Sequence, residues 1–163
     1  MSQMKNFNVD FVERSLNNLA QYKGDYEISN LLCCLLAFIV IPKERYCGQL
    51  SEKRITEHAD WGILPQHILF GTCRKCNQSL QPEKLTLKDF VKHMRDSIAH
   101  GGMETFVENN STDITHVQFI NKINNAELFK AVIPVNNLKT LAQKLSEWYL
   151  KKAKQEKAKK LNL

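Results

Sequence analysis

The densest chemistry in the chain lies in Lys92-His93-Met94-Arg95-Asp96-Ser97-Ile98-Ala99-His100-Gly101, which gathers two imidazoles, a guanidinium and a carboxylate. An imidazole titrating near neutrality can take or give a proton, and a guanidinium can clamp a phosphoryl group with its fork of N–H donors. At about 100° per residue, His93, Asp96, Ser97 and His100 fall near one line of a helix, with Arg95 flanking it beside Val91 and Ile98. Asp96, one turn before His100, is spaced to accept a hydrogen bond from the His100 ring and favour its charged form, as the end of the helix also does. That pairing suits a general acid. Arg95 and His100 stand about 140° apart on an ideal helix, so meeting at one small group requires a bend or a second subunit. Two copies related by a two-fold axis would set two Arg and two His around one cationic cleft fit for a phosphodiester. There His100 would move the proton of a 2′-hydroxyl or a leaving 5′-oxygen while Arg95 held the developing charge, with no metal required. The plainer reading is that both are polar residues at a helix end, His100 helping to satisfy terminal carbonyls.

The element carrying these residues is a helix over about 87–100, with Thr86 as its cap, an apolar stripe of Leu87, Phe90, Val91, Met94 and Ile98, and Gly101 at its C-terminal cap position. Val9, Val12, Leu16, Leu19 and Ala20 predict a first helix over about 7–23 ended by Gly24. Asp25 can cap a second over about 26–41, polar at first and then apolar all round, which Pro42 stops. Asn136 or Asn137 can cap a last helix over about 136–157, with Leu138, Leu141, Leu145, Trp148 and Tyr149 on its buried side. Strand composition at Glu104–Val107, Ile114–Asn121 and Leu128–Val135 predicts a small antiparallel sheet within an insert of about 103–135, appended to the helices. Between Pro42 and Pro82 the periodicity weakens: Arg54–Trp61 reads as a short helix, and WGILPQH and GTCRKCNQSLQP read as loop.

With 163 residues, 43% hydrophobic and 25% charged, the chain has the composition of one ordinary globular domain over residues 1–163. Its net charge of +6 is concentrated in residues 151–160, where six Lys and one Glu leave the remainder of the chain near +1. A Lys-rich end of a last helix complements the helix dipole without needing a partner. The longest apolar run, Leu31–Ile41, is well short of the roughly 20 residues a membrane-spanning helix needs. The N-terminus lacks a charged-then-apolar leader, so the expected location is the cytoplasm, with no membrane partner. Five cysteines, an odd number, with Cys33 and Cys34 inside the apolar run, argue against a disulfide framework.

Other constellations are less complete. Cys73-Arg74-Lys75-Cys76 is a single CxxC, and zinc would need two more ligands from among Cys47, His58 and His67. The βαβ context of a thioredoxin-like site is missing. Ser97 has His93 and His100 nearby but no glycine-rich nucleophile elbow, and phosphate-cradling GxxxxGK and GxGxxG patterns are absent. The expectation is therefore no metal and no cofactor.

The segment Arg95-Asp96-Ser97-Ile98-Ala99-His100 resembles the RxxxxH motif of HEPN domains, the helical domains of many prokaryotic toxin and antiphage RNases. DYEISNLLCCLLAFIVIPKE is similar to the early helix of a plasmid- and defence-associated HEPN subfamily, with Tyr26, Glu27, Asn30, Pro42 and Glu44 as the approximate matches. The resemblance implies a mainly α, up-and-down helical bundle with a small antiparallel β insert between the motif helix and the C-terminal helix. It implies Arg95 and His100 as the catalytic pair, and Asp96, Glu27 and Asn30 as supporting residues. It further implies a metal-independent endoribonuclease that acts on RNA as a homodimer, in a toxin–antitoxin or antiphage setting, with an antitoxin or defence protein as partner. The alternative is a non-catalytic HEPN module that binds RNA or protein as an accessory subunit. Some HEPN toxins carry, two residues beyond the His, a Tyr that a partner modifies; here that position is Gly102.

Overall fold

The computed structural model describes residues 7–24, 26–40, 49–76, 78–108 and 113–161. The chain divides into two compact units, residues 1–48 with 142–163, and residues 49–141.

In the first unit, α1 (Phe7–Gln21) pairs with α2 (Glu27–Val40). Both lie within two residues of the spans that the apolar spacing predicts. Val12 of α1 is fully buried, and α2 buries Leu31, Cys34, Leu35, Ala37, Phe38 and Ile39. Polar bonds fix their register: Asn18 Nδ2 donates to Asn30 Oδ1 at 2.8 Å, and the Cys34 thiol donates to the Ser15 carbonyl at 3.3 Å. Asp25, Pro42, Glu44 and Cys47 lie outside the described residues.

The second unit is built on a five-stranded antiparallel sheet comprising β1 (Ile68–Thr72), β2 (Ser79–Leu80), β3 (Met103–Phe106), β4 (His116–Ile123) and β5 (Ala126–Pro134), in the order β2-β1-β5-β4-β3. The motif helix α3 (Leu87–Ala99) packs against β4. The strands expected after α3 are present. The expectation of an insert appended to the helices is corrected, because β1 and β2 precede α3 and β1 pairs with β5. Nor is the sheet peripheral: Val117, Phe119, Phe129, Ala131 and Ile133 are fully buried. The β4–β5 turn is Asn124-Asn125, both at positive φ (49° and 65°), the left-handed pair that a two-residue hairpin uses. The short helix expected at Arg54–Trp61 is a 3₁₀ segment, Ile55–Trp61, closed by Gly62 in the left-handed region.

The last helix, α4 (Val135–Leu161), has its first turns in the second unit and the rest in the first. It buries Leu138, Leu141, Ala142, Leu145 and Tyr149. It starts one residue before the expected Asn cap, directly after Pro134. Asn137 lies inside its first turn and donates to the Gly62 carbonyl at 2.7 Å. The Lys-rich segment remains helical to Leu161.

Candidate functional site

The Thr86 cap holds as the sequence predicts. Its hydroxyl accepts the Asp89 backbone N–H at 3.1 Å and donates to the Asp89 carboxylate at 3.0 Å. The other end closes in a Schellman turn, with Gly102 N–H donating to the Ser97 carbonyl at 2.7 Å and Gly101 N–H to the Ile98 carbonyl at 3.3 Å. Gly101 has φ +70° with open space where a Cβ would go, whereas a Cβ at Gly102 would lie 2.0 Å from the Ile120 carbonyl oxygen. Gly101→Ala is therefore expected to cost about 1 kcal/mol, the left-handed penalty alone. Gly102→Ala should cost roughly 2–3 kcal/mol because backbone must move. Equal urea midpoints for the two variants would contradict this. The position where some HEPN toxins carry a modifiable Tyr is thus one where the packing leaves no room for a side chain.

Arg95 and Asp96 come together, though not in the way the helical spacing suggests. Asp96, about 10% exposed at its side chain, accepts Arg95 Nη2 on Oδ1 at 2.6 Å and Arg74 Nη2 on Oδ2 at 2.7 Å. Arg74 arrives from the turn after β1, a segment expected to be plain loop. The expected Asp96–His100 side-chain pair is not formed. His100 occupies the C-cap with non-helical φ −108° and ψ 15°, and its backbone N–H donates to the Asp96 carbonyl. With both carboxylate oxygens taken by guanidiniums, the exposed His100 ring has no hydrogen-bond partner among the described residues. The Arg95 side chain as a whole is 21% exposed.

His93 has a different role from its neighbours. Its ring is fully buried, stacked on Phe129 with centroids 5.0 Å apart and planes 3° from parallel. Nε2 lies 2.8 Å from the Thr72 carbonyl, which can only accept, so the proton is on Nε2. Nδ1 then accepts from Asn121 Nδ2 at 3.0 Å. Asn121 sits at a β-bulge opposite Phe129, third in the inward alternation Val117, Phe119, Asn121. Burial holds the His93 pKa below its ordinary value, partly offset by the Thr72 carbonyl. The line through His93, Asp96 and Ser97 is thus a buried seam. The Ser97 hydroxyl donates to the His93 carbonyl at 2.9 Å, committing it to its own helix. Period-2 alternation around Asn121 was the available signal for the sheet side of this seam. Arg74 had no signal beyond its charge.

Glu27 and Asn30 belong to the first unit. Glu27 is exposed in the first turn of α2, where a carboxylate complements the helix dipole. Asn30 is engaged with Asn18 and with the Cys34 thiol. Among the described residues there is no group of three or more His, Cys, Asp or Glu able to hold a metal ion. Nor, among the described residues, is any helix long and apolar enough to cross a membrane.

In comparisons with known proteins, residues 1–156 match the family model described as HEPN pEK499 p136. No curated protein and no solved structure matches the chain.

Proposed function

The chain belongs to the HEPN pEK499 p136 family, and from that premise we propose that it is a metal-independent endoribonuclease acting as a homodimer. The observation that carries this reading is the end of α3. There the partly exposed Arg95 side chain is anchored on a nearly buried carboxylate, and His100 is exposed at a cap held by backbone bonds. A cationic group and a proton carrier at one rigid helix end are what transfer at a phosphodiester requires. In a dimer, the exposed His100 of one protomer would find its counterpart guanidinium on the other. The reaction is attack of a 2′-hydroxyl on the adjacent phosphate, leaving a 2′,3′-cyclic phosphate and a 5′-hydroxyl. Asp96 acts as a positioning residue for Arg95, and Glu27 and Asn30 are supporting residues on the polar start of α2. The setting is a cytoplasmic toxin–antitoxin or antiphage system with a protein partner.

The test is incubation of the purified chain with tRNA and mixed RNA in EDTA, with product ends mapped. Cutting with cyclic-phosphate ends is the expected result, and no cutting under any partner-free condition would count against it. One observation favours a second reading, a HEPN module that binds RNA or protein without cutting: within one chain the His100 ring has no orienting partner among the described residues. RNA retention without cleavage would select that reading.

A further inference from the structure

The CxxC turn and the motif helix are physically joined. Cys73 and Cys76 bracket Arg74 in the turn between β1 and β2, and Arg74 is one of the two guanidiniums on Asp96. The turn is closed by the Cys73 N–H donating to the Gln78 carbonyl at 2.9 Å. Cys73 and Cys76 thus stand across one turn with two residues between them. Hydrogen bonding within the turn, from the Lys75 amide first, holds the Cys73 thiol below its ordinary pKa. Buried Cys34 is pushed the other way, by burial first. Cys76 is exposed and Cys73 half-buried, so a small reagent can reach the pair. Two free thiols across one turn, one of them exposed, are the arrangement that thiol–disulfide exchange uses.

We propose that Cys73 and Cys76 form a reversible dithiol–disulfide site whose co-reactant is a small-molecule disulfide, and that Arg74 carries its state to the motif helix through Asp96. The Cys73 thiolate attacks one sulfur of the reagent, forming a mixed disulfide and releasing one thiolate. Cys76 gives its proton to solvent and attacks the Cys73 sulfur, closing Cys73–Cys76 and releasing the second thiolate. Two electrons pass from the cysteine pair to the reagent, which leaves as two thiols once protonated. A disulfide ties the two ends of the turn together with its own fixed geometry, so the turn that bears Arg74 is redrawn. Arg74 is rooted in that turn and leaves Asp96, whose remaining partner is Arg95. The consequence for RNA rests on the ribonuclease reading; the thiol chemistry does not.

The experiment treats the full chain with oxidised glutathione and then dithiothreitol. Disulfides are mapped by peptide mass, and the arginine side-chain N–H resonances are followed by NMR. The expected result is a Cys73–Cys76 disulfide that dithiothreitol reverses. With it, the Arg74 signal should shift and exchange up to about fivefold faster, as befits loss of one partly exposed ion pair. The Cys76→Ser variant should show neither change. Mixed disulfides with no Cys73–Cys76 bond, or zinc held by the pair in the purified protein, would overturn the site. A disulfide that leaves the Arg74 signal unmoved would overturn the link to Asp96. RNA cutting, measured alongside, is expected to fall on oxidation in the wild type but to ignore redox state in Arg74→Ala. A wild type that cuts no RNA in either state, while the disulfide and the Arg74 response both appear, sinks the ribonuclease reading alone.

Discussion

His100→Ala and Arg95→Ala are each expected to lower RNA cutting in EDTA by about 10²–10⁴-fold, the range a positioned proton carrier or charge clamp supplies. The structure makes these variants clean tests. The His100 side chain is exposed, and the Schellman turn around it is made of backbone bonds from Gly101 and Gly102, so removing the ring should change stability by no more than about 0.5 kcal/mol. Truncating Arg95 frees one oxygen of Asp96 but leaves Arg74 on the other, so the carboxylate is not stranded. A loss of cutting with unchanged unfolding would therefore report chemistry, not collapse. Mixing adds a sharper requirement. If each cleft pairs Arg95 of one protomer with His100 of the other, a dimer of one Arg95→Ala and one His100→Ala chain keeps a single intact pair. It should recover a measurable part of wild-type cutting that neither homodimer shows. Full activity in either single variant would remove that residue from the reaction, and inactivity of the wild type with retained RNA binding would leave the accessory-module reading.

The parts of the fold visible in the sequence are those whose order is local. Each α-helix could be read from its own apolar spacing, and Thr86 and Gly101 mark the ends of α3 because their capping roles depend on residues within one turn. The strands β1 and β2 were hidden for the opposite reason. Ile68–Thr72 is five residues with a glycine at its fourth place, and what makes it a strand is pairing with Phe129–Ala131, some sixty positions further on. The site follows the same rule. Arg95, Asp96 and His100 are legible as a set because they share a helix end, while Arg74 reaches them only once the sheet has brought its turn alongside α3. The burial of the seam of His93 and Ser97 was not legible, because a helical projection shows which residues align, not what covers them. Asn121, Thr72 and Phe129 cover that line, and each comes from a different strand.

That covering predicts the second large effect, this time on stability. His93→Ala should cost roughly 3–5 kcal/mol, since it opens an aromatic-sized cavity beneath Phe129 and strands the Thr72 carbonyl and the Asn121 amide without partners. His93→Phe fills the space but still leaves both groups unpaired, so it should recover only part of the loss. A His93→Phe variant as stable as the wild type would show that the ring serves as filler and its hydrogen bonds add nothing. The bonds also set a pH dependence. Nε2 donates and Nδ1 accepts, so the neutral ring satisfies both neighbours, whereas a proton on Nδ1 would face the Asn121 amide donor. Burial lowers the native pKa below the ordinary 6.5. Below pH 6.5 the unfolded chain therefore takes up a proton that the native chain refuses. The stabilisation is complete above that pH and is lost progressively as the pH falls toward the lowered native value. Urea midpoints measured from pH 7.5 down to about 5 should decline more steeply for the wild type than for His93→Phe, which has no ring nitrogen to protonate. Parallel declines would mean that the acid sensitivity of the unit does not lie in the His93 seam between α3 and the sheet.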